Sequence, residues 1–161
     1  MVILGVDPGT NRAGYGLIKK ENSNLSLIAY GCLDIKSGSN RTDNLLTLHN
    51  YFLDLIKKHQ PDVLAIEKLF FFKNAKTVTQ VSEARGVLIL AGVKSGLAIR
   101  EFTPLEVKQA VSAYGRAGKE AVQKMVRLIL SLEHDPHPDD AADALATAIC
   151  CAHTSDTLHA T

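Results

Sequence analysis

Several things are scarce in this 161-residue chain, and each scarcity excludes something. There are only three cysteines, Cys32, Cys150 and Cys151. An odd number with two adjacent does not make a disulfide framework, so reduced, buried thiols are expected. The alternative is a zinc site from His134, His137, Cys150 and Cys151; against it, the cysteine pair lacks the usual spacer between ligands. No apolar run approaches the roughly 18 residues that a membrane span needs. The N-terminus has no basic region, and Asp7 interrupts its short apolar run, so no signal peptide is expected and the cytoplasm is the default location. Repeats, linker-like composition and signs of a second domain are also missing. One domain over residues 1–153 is therefore expected, with a flexible polar tail over 154–161.

Excess charge is missing too. The net charge is +1, which by itself argues for no partner, but the charges are unevenly spread. Between Lys108 and Arg127 five basic residues (Lys108, Arg116, Lys119, Lys124, Arg127) face one acid, Glu120. Between Glu133 and Asp143 five acids occur with no Lys or Arg. A basic stretch beside an acidic cluster suits a protein that holds a polyanion and sets metal ions against it. Two solvated faces of opposite sign would read the same way on charge alone.

Hydrophobic periodicity gives the elements. Val2 to Asp7 reads as a short buried strand ended by Pro8-Gly9. Gly14 to Ile18 reads as a returning strand. Leu25 to Ile35 reads as a third, although its alternation is weak. Leu45, Leu48, Phe52, Leu55 and Ile56 share one face of a helix over 42–59. Val63 to Ile66 runs as a strand into Glu67, and the helical crossover makes it parallel to the first. Next come a helix over 76–93, a strand over 97–102 and a helix over 104–113. Thr103, Pro104 and Glu106 supply the capping box of that last helix. A basic loop, 114–118, leads to a further helix through Val122 and Leu132, and a final helix runs from Asp139 to about Cys151. The order predicts an α/β fold with a five-stranded mixed sheet, the first three strands antiparallel.

Buried aspartates rarely lack a partner, and a charged one is costly to bury. In this order Asp7 and Glu67 end the apolar parts of adjacent parallel strands, at one edge of the sheet. Asp140 and Asp143, three apart, share a helix face. If that face packs over the strand ends, four acids converge and raise one another's pKa values. Hard divalent cations relieve such crowding; Mg²⁺ uses few carboxylates plus water and phosphate, and two ions can hydrolyse a phosphodiester. Each acid also has an ordinary reading: a solvated strand-end Glu67, or Asp140 and Asp143 as a helix cap and first-turn dipole partner. Asp139 is assigned a cap or a place outside the ligand set. Two rival functions stay open. Asp7-Pro8-Gly9-Thr10 also suits a nucleotide-binding ATPase of the sugar-kinase and actin class, which generally needs two such domains. A non-catalytic polyanion-binding module would gain nothing from bare carboxylates.

An ordered set of segments resembles the RuvC family of Holliday-junction resolvases. They are Gly5 to Thr10 with Gly14-Tyr15-Gly16, Ala65-Ile66-Glu67, Phe70 with Asn74, and Ala84-Arg85-Gly86-Val87. Thr103-Pro104 to Val107-Lys108 and Asp140 to Ala146 complete it. The resemblance implies an RNase H-like fold, a homodimer, and Mg²⁺-dependent paired nicks across a four-way DNA junction, leaving 5′-phosphate and 3′-hydroxyl ends. It implies metal ligation by Asp7, Glu67, Asp140 and Asp143, with two Mg²⁺ ions per site for which Mn²⁺ can substitute, and favours roles for Lys108 and Lys119. Branch-migration proteins on the same junction are the implied partners. The residues add that Lys108, Lys119 and Arg116 lie in the basic segment and can grip phosphates. An exposed Phe70 can stack on or wedge between bases. The apolar helix over 76–93 can bury against a twin copy.

Overall fold

The computed structural model describes residues 1–9, 11–35, 40–69 and 75–157, excepting the side chains of 75–77 and 155–157. Five strands, β1 (Val2–Asp7), β2 (Arg12–Glu21), β3 (Asn24–Asp34), β4 (Val63–Glu67) and β5 (Ala98–Phe102), form one sheet in the order β3-β2-β1-β4-β5. β1–β2 and β2–β3 pair antiparallel, while β1–β4 and β4–β5 pair parallel. This is the mixed sheet expected from the sequence. Helices α1 (Arg41–His59) and α2 (Ala75–Lys94) contribute to the core on one face; α3 (Pro104–Ser112), α4 (Lys119–Ile129) and α5 (Asp139–Thr157) cover the other. Among the described residues no helix is long and apolar enough to cross a membrane.

Two differences from the sequence reading have physical causes. The last helix does not stop near Cys151; it runs to Thr157, so residues 154–157 are helical. Polar side chains there hid the continuation; the Thr154 hydroxyl finds a partner inside the helix, donating to the Cys150 carbonyl at 2.8 Å. The weak alternation of β3 comes from a bulge. Leu17 pairs with Ala29 and Ile18 with Leu27, which leaves Ile28 as the extra residue. A bulge reverses the facing of the residues on its far side. Accordingly Leu25 and Leu27 pack on the α5 side, while Ala29 and Leu33 pack on the α1–α2 side. The capping box of α3 is present: the Thr103 amide donates to Glu106 Oε2 at 2.6 Å, and the Glu106 amide to Thr103 Oγ1 at 3.2 Å.

The four residues of the zinc alternative are not brought together. Cys150 and Cys151 are buried in the core, and among the described residues no three His, Cys, Asp or Glu side chains are grouped to hold a metal.

What positions the site is the seating of α5. Side chains alternate along a strand, and on β1 Leu4 and Val6 point to the α1–α2 side while Ile3 points to α5. Gly5 lies on the α5 side, where a Cβ would strike the Ala144 carbonyl and come within 2.9 Å of the Ala148 Cβ. On β2, a Cβ at Gly14 would strike the Asp140 carbonyl, and one at Gly16 would lie 2.6 Å from the Leu145 side chain. Three glycines on two paired strands thus admit the helix onto bare backbone. Gly5→Ala should destabilise the fold by about 3 kcal/mol or more, the upper range for overpacking. A denaturant melt indistinguishable from wild type would contradict this close seating.

Candidate active site

The strand period carries Asp7 and Glu67 to the same face. Val6 pairs with Ile66, and both point away from α5; the next residue on each strand, Asp7 and Glu67, therefore faces α5. There the last helix brings in Asp140 and Asp143 from its first turns. Asp7, Glu67 and Asp143 line one cleft with Lys108, Lys119, Pro104, Val107, Val122 and Ala146. Asp140 opens onto an adjoining cleft with Arg12, Lys119, His137, Pro138 and Asp139.

Electrostatics set this group apart. Burial, then Asp143, Asp140 and Glu67 in decreasing order, push the Asp7 carboxyl up to about 7, with Lys119 pulling the other way. Burial and then Asp143 push Glu67 up to about 6, opposed by Lys108. Asp143 is raised as well, first by burial, although Lys119 offsets part of it. Burial is thus the first cause at all three, and neighbouring acids add to it most at Asp7.

The available cations are shared. Lys119 Nζ lies 3.3 Å from Asp143 Oδ2 and 3.2 Å from Asp139 Oδ2. Partial burial lowers the Lys119 pKa, but the two carboxylates outweigh it and hold it above the ordinary value. As the first residue of α4, Lys119 stands where the helix dipole disfavours a cation, so the acids must hold it there. Gln123, one turn along α4, donates to Asp139 Oδ1 at 2.9 Å. Arg12 donates to Asp34 Oδ1 at 2.6 Å and reaches Asp140 Oδ2 at 3.7 Å.

The structure thus gathers Asp7, Glu67, Asp143, Lys108 and Lys119 in one cleft and sets Asp140 beside it, turned toward Arg12. Arg116 is exposed on the turn between α3 and α4 and lines neither cleft. Phe70 and Asn74 lie outside the described residues. Arg12 and Gln123 carry no sequence signal. Each acquires its place only through a contact distant in the chain, Arg12 by pairing across strands with Asp34 and Gln123 by the packing of α4 on α5.

The donor set suits a hard divalent cation: oxygen ligands only, partly buried, and short of positive charge. Among the described residues, no three of these acids are drawn together as closely as ligands of one ion; Asp140 and Asp143 instead meet Arg12 and Lys119.

Strand order β3-β2-β1-β4-β5 with acids at the ends of β1 and β4 and on the closing helix places the protein in the RNase H-like class. The model of the family described as Crossover junction endodeoxyribonuclease RuvC matches residues 3–151, and the chain belongs to that family. It is 48% identical over 158 residues to the crossover junction endodeoxyribonuclease RuvC of Caldanaerobacter subterraneus subsp. tengcongensis, covering 98% of this chain and 96% of the relative. It is 51% identical over 150 residues to the Halothermothrix orenii enzyme of the same description, covering 93% and 91%. Among solved structures, T. thermophilus RuvC in complex with Holliday junction substrate superposes with a TM-score of 0.89 at 28% identity, covering 98% of this chain and 96% of that one.

Proposed function

We propose that this protein resolves four-way DNA junctions in recombination and repair, within one nuclease domain over residues 1–153, by paired symmetric nicks leaving 5′-phosphate and 3′-hydroxyl ends. The observation that carries the reading is the cleft in which Asp7, Glu67 and Asp143 meet with raised pKa values beside Lys108 and Lys119. Asp7, Glu67, Asp140 and Asp143 would hold Mg²⁺, two ions per site, with Mn²⁺ able to substitute. Bound there, the ions supply an activated water and charge stabilisation for the leaving oxygen.

The side chains have distinct tasks. Burial of Asp7 keeps its carboxylate poorly solvated, so a cation is worth more to it than to an exposed acid. Lys119 neutralises Asp143 and Asp139 and can move to a scissile phosphate as it enters. Lys108, beside Glu67, meets the same strand, and Arg116 contacts the flanking backbone from its exposed turn. Phe70 stacks on or wedges between the junction bases.

Two symmetric cuts need two sites, which a two-fold dimer supplies. Leu90 and Val93 on α2 are 52% and 57% exposed, and they follow Gly86 by four and seven residues on one helix face. That face is the proposed dimer contact, and branch-migration proteins are the proposed partners on the same junction in the cytoplasm. Leu90→Glu should shift the protein to monomers in sedimentation while leaving each fold intact; an unchanged dimer would place the contact elsewhere. The proposed activity is tested with a synthetic four-way junction, with Mg²⁺ or with chelator. Symmetric nicking only with Mg²⁺ is expected, and ATP turnover without DNA or Mg²⁺-independent binding without nicking would replace it.

A further inference from the structure

Arg85 has no task in the proposed reaction, and its surroundings give it one. Its side chain is only 17% exposed, and a largely buried guanidinium must have its donors satisfied. Two contacts engage it. Nε donates to the main-chain carbonyl of Glu67 at 3.2 Å. The end of the fork binds the carboxylate of Glu101 on β5. Glu101 pairs with Ile66, the residue before Glu67. Arg85 therefore spans the ends of β4 and β5 from α2, at the rung where the acid leaves the sheet.

That rung is held by a strand on one side only, where Glu67 pairs with Phe102 of β5. The β1–β4 pairing ends at Val6 and Ile66, one residue short of Glu67. On the other side the Lys68 amide donates to the Phe102 carbonyl at 2.7 Å. Between the two, the Glu67 carbonyl takes its hydrogen bond from Arg85. A carboxylate can keep a metal-ligand geometry only if the backbone below it is fixed, because a displacement of about 1 Å is enough to lose most of the benefit of positioning.

We infer that Arg85 is a positioning residue: it fixes the backbone of Glu67 against β5 and so sets where that carboxylate meets the metal. Glu101 acts through it, holding the guanidinium at the angle that aims Nε at the carbonyl. The inference rests on Glu67 being a metal ligand, and the experiment separates the two.

Arg85→Gln, Arg85→Lys, Glu101→Gln and Glu67→Gln are compared with wild type in the full-length protein. Mn²⁺ affinity is measured by calorimetry without DNA, junction affinity in chelator, and cleavage against Mg²⁺ concentration. Arg85→Gln should weaken Mn²⁺ binding and raise the half-saturating Mg²⁺ by about tenfold, within the range for groups that orient ligands. Junction affinity should not move. Arg85→Lys keeps the charge but loses the fork and should show most of the defect; Glu101→Gln should show a smaller one. Unchanged Mn²⁺ affinity and Mg²⁺ dependence in Arg85→Gln overturn the inference, even if the melting temperature falls. If that variant does not fold, Arg85→Lys decides by the same two measurements. Glu67→Gln with wild-type metal binding and cleavage removes the reading of Glu67 and this inference together. A dead Glu67→Gln beside a wild-type Arg85→Gln removes the inference alone.

Discussion

Asp7→Asn is expected to lower junction cleavage by at least about a thousandfold, as loss of a principal electrostatic element of a hydrolytic site does, while junction affinity in chelator stays near wild type. The substitution keeps shape and hydrogen-bonding capacity but removes the charge. Binding to DNA draws on lysines and arginines that the substitution leaves in place. Asp7 is also the group the others act on: Asp143, Asp140 and Glu67 all raise its pKa. Removing its charge therefore relieves a repulsion at the same time as it removes a ligand. The same variant should consequently melt higher than wild type at pH 8 in chelator. Wild-type cleavage would refute the ligand assignment, and a lower melting temperature would refute the account of mutual repulsion.

The second large effect is on pH. Asp7 moves from its ordinary 3.8 to about 7, and Glu67 from 4.5 to about 6. Between those values the folded state holds protons that the unfolded chain has released. Raising the pH through this window therefore costs stability, rather than adding it as for a salt-bridged carboxylate. For Asp7 alone the full effect is on the order of 4 kcal/mol. Mg²⁺ competes with those protons, so its stabilisation should be small at pH 5 and large at pH 8. Cleavage at subsaturating Mg²⁺ should fall as pH drops through about 7 and then 6, and excess Mg²⁺ should shift the fall to lower pH. Melting curves at the two pH values, with Mg²⁺ or chelator, check the first part. An equal Mg²⁺ shift at both would show that these carboxyls are not the ones the ion meets.

The pairing of Asp7 with Glu67 is legible in the sequence because it follows from strand period and the order of elements. The capping box of α3 is legible because its residues are local. Other features are not. Gly5, Gly14 and Gly16 read only as parts of apolar strands, since nothing local states that a helix will need their missing side chains. The bulge at Ile28 shows in the sequence only as a failure of alternation. Asp139 and Asp140 are adjacent in sequence, yet one meets Lys119 and Gln123 and the other faces Arg12. That division is decided by how α4 and β2 pack around the start of α5. Arg85 is visible as part of a segment that carries the family resemblance, but its link to Glu67 spans 18 positions and has no pattern.

The glycine floor beneath the closing helix has a further implication. A helix resting on side chains can rise or sink slightly as rotamers change, whereas one resting on main chain has almost no vertical play. The height of the two helical aspartates above the strand-borne pair is then a constant of the backbone, insensitive to repacking elsewhere in the core. Substitutions in the surrounding apolar layer should be absorbed as lost stability long before they detune the spacing of the acids.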